Sequence, residues 1–135
     1  MLGLGNSLLH PNEYEQMYSL SFDGGSSQQS IDLGDVLDLG TADFSISFWV
    51  KLADITNKPL IAKYASVNSQ IRIEFSSKKI KLLVVKNSNI VCDHTGANDM
   101  TALQNTWIHI CVSFDRDGEG GVYVNGTTDT YGIAL

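Results

Sequence analysis

Proline and cysteine are scarce in this chain, with two of each, and only four of its 135 residues are glutamate. Two thiols cannot build a disulfide framework, and the spacing of Cys92 and Cys111 matches no zinc motif. Both fall in segments read as strands, where a free buried thiol and a cross-strand disulfide are the two alternatives. Positive charge is also short: nine Lys and Arg stand against fifteen Asp and Glu, a formal charge of −6. Affinity for a phosphate backbone rests on basic stripes, so no nucleic-acid partner is expected. The small cluster Lys78, Lys79 and Lys81 sits at a turn signal and reads as solvated. Apolar runs of about 18 residues are missing, which argues against membrane insertion. The first eleven residues lack a charged n-region and a long apolar core, so no secretory signal is read there.

What is present is a period of two. Residues 1–16 show no periodicity and read as an N-terminal arm or leader. From Tyr18 onward, Tyr18, Leu20 and Phe22 alternate with serines, and Ile31 and Leu33 alternate with Ser30 and Asp32. The clearest strand is 44–51. Phe44, Ile46, Phe48 and Val50 share one face, and Ser45, Ser47, Trp49 and Lys51 share the other. Further strands are expected at 60–64, 71–75, 80–85, 90–94, 107–115 and 122–124. Leu83 and Val85 make the strand at 80–85 apolar on both faces, so it is expected to be covered twice. The stretch 95–106 is irregular, with a helical turn expected near residues 100–103. Asp117–Gly121 and Asn125–Gly126 read as hairpin connections. No αβ alternation occurs, so the expected fold class is all-β, an antiparallel sandwich.

Four segments together resemble a known family. They are Tyr18–Gly24, Ile31–Gly34, Phe44–Lys51, and the pair formed by the Trp-led strand 106–115 with Val122-Tyr123-Val124-Asn125-Gly126. In this order they resemble the LamG-like group of the concanavalin A-like lectin/glucanase superfamily, over residues 17–131. The resemblance implies a jelly-roll sandwich over residues 17–135. It also implies a lectin-like, non-catalytic binding module with a glycan or protein ligand, placed at an extracellular or virion surface. Domains of this kind usually continue past the 122–126 hairpin, so a chain reaching only Leu135 is expected to lack its final strands. An open sheet edge invites another chain, and a homo-oligomer is expected. A structural or assembly domain of a virion, tail or extracellular scaffold is the alternative function.

Chemistry-bearing residues are few. Glycosidases of the superfamily need paired carboxylates about 5–5.5 Å apart for retention. Glu13, Glu15, Glu74 and Glu119 form no alternating acidic triplet, and Glu74 shares a face with Arg72, so no enzyme is expected. Asp115, Asp117 and Glu119 beside glycines partly imitate a calcium loop, but a hairpin turn calls for the same residues. The resemblance leaves calcium open as a cofactor, with Asp23 the candidate ligand. Trp49, Arg72 and His109 are the candidate ligand contacts. Trp49 and Trp107 have two readings, packing in a core and offering aromatic faces to sugar rings. His109 likewise reads either as a hydrogen-bonded structural residue or as a ligand contact.

Overall fold

The computed structural model describes residues 19–22, 29–34, 36, 42–66, 68–115 and 117–133, the last three by backbone alone. The backbone forms two units, Met1–Val36 and Leu37–Leu135. Among the described residues the second unit holds eight strands: β1 Phe44–Lys51, β2 Asn57–Ser66, β3 Ser69–Ser76, β4 Lys79–Lys86, β5 Asn89–Thr95, β6 Trp107–Phe114, β7 Gly120–Val124 and β8 Thr127–Ile133. All pairings are antiparallel. One sheet has the order β1-β6-β7-β8 and the other β2-β3-β4-β5. The all-β expectation is met.

The alternation in the sequence decides which side chains meet between the sheets. From the second sheet come Ile73, Phe75, Ile80, Leu82, Val84 and Cys92, all buried. The first supplies Ile108, Ile110, Val112, Phe114, Val122 and Val124, with Phe44, Ile46, Phe48 and Val50 packed against them. The pairing Phe44↔Phe114 is also a ring stack, with centroids 4.8 Å apart and planes 21° from parallel. Such a pair adds about 0.5–1.5 kcal/mol beyond the area it buries. Leu83 is buried on the other face of β4, where it lies between Arg72 on β3 and Asp93 on β5. Double coverage of β4 is therefore correct at Leu83, and Val85 is half-buried.

Hairpin turns fix the register. Asn125 and Gly126 both have positive φ, at 51° and 75°. That is the primed turn whose twist suits paired strands, and asparagine and glycine tolerate it best. Ser77-Lys78 and Asn87-Ser88 adopt the same left-handed backbone without a glycine. The loop 96–106 contains a single 3-10 turn at Thr101–Leu103, close to the expected helical turn.

One expectation needs correction. Residues 19–22 and 29–34 carry the alternating pattern but form no strand, and Leu20 is 73 % exposed and Leu33 69 %. Alternation supplies a sticky face but not the neighbour whose N–H and C=O groups must complete the ladder. A strand not read in the sequence, β8, follows the 122–126 hairpin and returns along β7 from Thr127 to Ile133. Its run of threonines lacks the bulky alternation that marks the other strands. Of the two readings of the cysteines the free thiol holds, since Cys92 and Cys111 are unpaired, one on each sheet. Cys92 belongs to the core between the sheets, while Cys111 alternates with the core-facing Ile110 and Val112 and so points outward. Burial, reinforced by neighbouring Asp93, pushes the Cys92 thiol up to about 11. It packs as a small hydrophobe.

Candidate functional site

Antiparallel pairing of β1 with β6 gathers one set of side chains on the outer face of the first sheet. The register places Trp49 opposite His109, Lys51 opposite Trp107, Ser47 opposite Cys111 and Ser45 opposite Ser113. These residues alternate with the core-facing set, so they turn away from it. Trp49 is 53 % exposed and Trp107 51 %. Neither indole lies in the core between the two sheets. The Trp49 and His109 rings stand 5.2 Å apart at an interplanar angle of 48°. Directly opposed side chains on a sheet face lie within about 5.5 Å at Cβ, so the strand pairing itself sets this contact.

His109 is held from its backbone. Its amide donates to the Asn125 Oδ1 at 2.9 Å, and its carbonyl accepts from the Asn125 amide at 2.9 Å. The turn at Asn125-Gly126 thus pins the strand position from which the imidazole meets Trp49. Below the aromatic end, the Asn105 amide donates to the Leu52 carbonyl, and the Gln104 side chain donates to the Ala53 carbonyl. These bonds tie the start of β6 to the end of β1.

Beyond the aromatic end the face is low. Ser45, Ser47, Cys111 and Ser113 carry small side chains. Gly121, opposite Ser113, is covered by the Tyr123 ring: a Cβ there would lie 3.1 Å from both Cε2 and the hydroxyl of Tyr123. Glycine at 121 therefore lets Tyr123 lie along the sheet rather than stand off it. At the far end, Asp43, Phe44, Ser45, Ser113, Phe114 and Asp115 border a hollow of about 370 Å³. The result is a strip with indoles, imidazole and Lys51 at one end, hydroxyls in the middle and carboxylates at the other.

Arg72 is not part of this face. It lies on β3 in the second sheet, its Nε 2.9 Å from Glu74 Oε2 and its Nη2 donating to Oε1 at 3.3 Å. Both partners are largely shielded, with side chains 30 % and 16 % exposed. Beside them Lys81 pairs with Asp93 at 2.8 Å. This face is clasped by charges over Leu83. Asp23 lies outside the described residues. Asp115 accepts the Asp117 amide at 3.0 Å, the self-bonding that builds a turn.

One group escaped the sequence reading. Asp129 on β8 is 8 % exposed, the buried charged residue among those described. Its Oδ1 accepts from the Asn98 amide at 3.0 Å and from Asn98 Nδ2 at 2.6 Å. Its Oδ2 lies so close over Gly96 that a Cβ at 96 would fall 2.0 Å away. The neighbouring Thr130 hydroxyl meets His94 Nε2 at 3.2 Å. Both contacts link the edge strand of one sheet to the edge strand of the other, or to the loop that follows it. No spacing in the sequence announces a link spanning more than thirty positions.

Comparison with known proteins places this geometry. Botulinum neurotoxin type E of Clostridium butyricum is 28% identical over 96 residues, which span 62% of this chain and 8% of the toxin. The crystal structure of a botulinum neurotoxin serotype D/C binding domain superposes with a TM-score of 0.56 at 19% identity, over 70% of this chain and 24% of that one. A structure described by the dependence of botulinum neurotoxin type C cell entry on two ganglioside molecules gives a TM-score of 0.53 at 20% identity, over 69% and 24%. The chain thus spans about a quarter of those structures and under a tenth of the curated toxin. At such identities the structures establish a shared sandwich. The family model Laminin_G_3, described as the Concanavalin A-like lectin/glucanases superfamily, matches residues 23–132. With two antiparallel sheets closing on one apolar core and a family match across most of its length, the chain belongs to the concanavalin A-like lectin/glucanases superfamily.

Proposed function

We propose that the protein is a non-catalytic binding module that takes a saccharide on the outer face of its first sheet. The observation that carries this reading is the pair of exposed indoles, Trp49 facing His109 and Trp107 facing Lys51, beside a strip of hydroxyl side chains. Indoles held open to water lose little by being covered, and a sugar ring offers them an apolar face of matching size. Serine hydroxyls both donate and accept, as sugar hydroxyls do. The neurotoxin binding domains that share the sandwich support the binding class, one of them through the gangliosides named with it. An extracellular site of action follows from the same support. Glu74 is committed to Arg72, which leaves it poorly placed to act as a general acid.

The test is a glycan array followed by calorimetric titration of any hit. Binding that falls about tenfold or more in Trp49→Ala supports the reading. Full affinity in Trp49→Ala and in Trp107→Ala would move the site elsewhere. A second reading, assembly with other copies, is favoured by the strand edges that β1 and β8 present in the first sheet and β2 and β5 in the second. Light scattering of the eluting protein tests it, and a monomer at high concentration would remove it.

A further inference from the structure

We infer that β1 pairs with β1 of a second copy, antiparallel about a two-fold axis at Ser47, so that the two first sheets join into one. This gives the assembly reading above an edge and a register, and it rests on that reading. Among the described residues, four strands end the two sheets: β1 and β8 in one, β2 and β5 in the other. An edge strand that stays single is usually spoiled for pairing by a bulge, a proline or a charge. Three of these edges are spoiled. β2 carries Pro59, and its ladder to β3 skips Leu60 and Ala65. The ladder of β5 skips Val91, and that of β8 skips Asp129 and Gly132. Each skipped residue sits on the edge strand itself, where it bends the free backbone. β1 has no such device. Its eight residues are matched one for one by β6, and its one charge, Lys51, stands at the last position.

The apolar row of β1 is also the thinly covered part of the core. Phe44, Ile46, Phe48 and Val50 are half-buried, whereas their partners on β6, Phe114, Val112, Ile110 and Ile108, are exposed by 2 % or less. The strand is its own complement. Directly opposed side chains of an antiparallel pair share a face, and a slip of one residue would set the apolar row against the serines. With the axis at Ser47, Phe44 lies opposite Val50 of the second copy and Ile46 opposite Phe48, each twice by symmetry. On the outer face Ser45 meets Trp49, and Ser47 meets itself. Asp43, which precedes β1, comes opposite Lys51 at both ends, so unlike charges answer each other across the pair. Asp43 already makes an interaction within its own chain, and a carboxylate accepts more than one donor. An axis moved to Ile46 or Phe48 keeps the apolar rows together but takes Asp43 away from Lys51. One register is selected.

Light scattering of the whole chain over a concentration series gives its mass, and Ser47→Lys sets two like charges on the axis. The expected result is twice the mass of one chain for the wild type and the mass of one chain for Ser47→Lys. Cysteine pairing reads the register. Opposed Cα atoms lie about 4.5–5.5 Å apart, within the span of a disulfide. Within one copy Cys111 lies opposite Ser47, so the cysteine variants are made together with Cys111→Ser. In oxidising buffer Ser47→Cys should give a linked dimer, whereas Ser45→Cys, opposite Trp49 of the second copy, should not. A monomeric wild type overturns the inference and the assembly reading together, and leaves the saccharide reading standing. An oligomer that survives Ser47→Lys, or that does not link through Ser47→Cys, overturns the inference alone and moves assembly to another edge. Ser47 is exposed, and a circular dichroism melt of each variant confirms that it folds.

Discussion

The two sheets share one core but differ on the faces they turn away from it. On the second sheet, the row Ala62, Arg72, Leu83 and Asp93 is closed: ion pairs at 2.9 and 2.8 Å lie over a buried leucine. Across the first sheet, the rows Trp49–His109 and Lys51–Trp107 leave both indoles half exposed. A face whose charges answer each other has spent its binding capacity internally. Where aromatic rings and a lysine stand uncommitted, that capacity remains for something else. The difference locates the candidate site better than any single residue does.

Mutations can break or sharpen this contrast. The largest effect is expected where the two faces have a common support. Phe114→Ala removes a core ring stacked on Phe44 and should cost about 3–5 kcal/mol, read as a lower urea midpoint. Both faces should fail together. Glu74→Gln is expected to cost about 1–3 kcal/mol, because it leaves the shielded Arg72 guanidinium without its counter-charge. Saccharide affinity should not change, since the pair lies on the other sheet. Trp49→Ala should do the reverse, altering the urea midpoint by less than about 1 kcal/mol while reducing affinity. Equal destabilisation by the last two substitutions would erase the distinction between a closed and an open face.

The smallest effect belongs to the rim. The Thr56 amide, the Thr56 hydroxyl and Lys58 hold the Asp54 carboxyl down to about 2. A depressed acid stabilises the fold at pH values above its unfolded value near 3.9, and that help is lost as pH falls towards 2. Thermal melts between pH 2 and 5 should therefore fall slightly more steeply for the wild type than for Asp54→Asn. Asp54 is solvent-exposed, so the difference should be small and should shrink with added salt.

Much of the sandwich was legible because burial imposes period two on the chain. Phe44, Ile46, Phe48 and Val50 needed only their spacing to be assigned to one face. The Trp49–His109 contact required the pairing partner of β1, which alternation cannot supply. The same gap explains why residues 19–22 were expected as a strand and are not one. Exposure of the indoles was undecidable for a related reason: the pattern says which residues share a face, but not what covers it. Arg72 was singled out beside Trp49, and the fold puts it on the opposite sheet. Asp129 gave no signal, because its partners Asn98 and Gly96 lie in a loop without periodicity.

The bonds from His94 to Thr130 and from Asn98 to Asp129 have a mechanical consequence. Strands within a sheet are joined by backbone ladders, whereas these two links cross from one layer to the other. A load applied to β8 is therefore shared with β5 and its loop before β7 is peeled away. In a force-extension experiment the protein should resist up to a single rupture, where a stack of independently slipping layers would give way in steps.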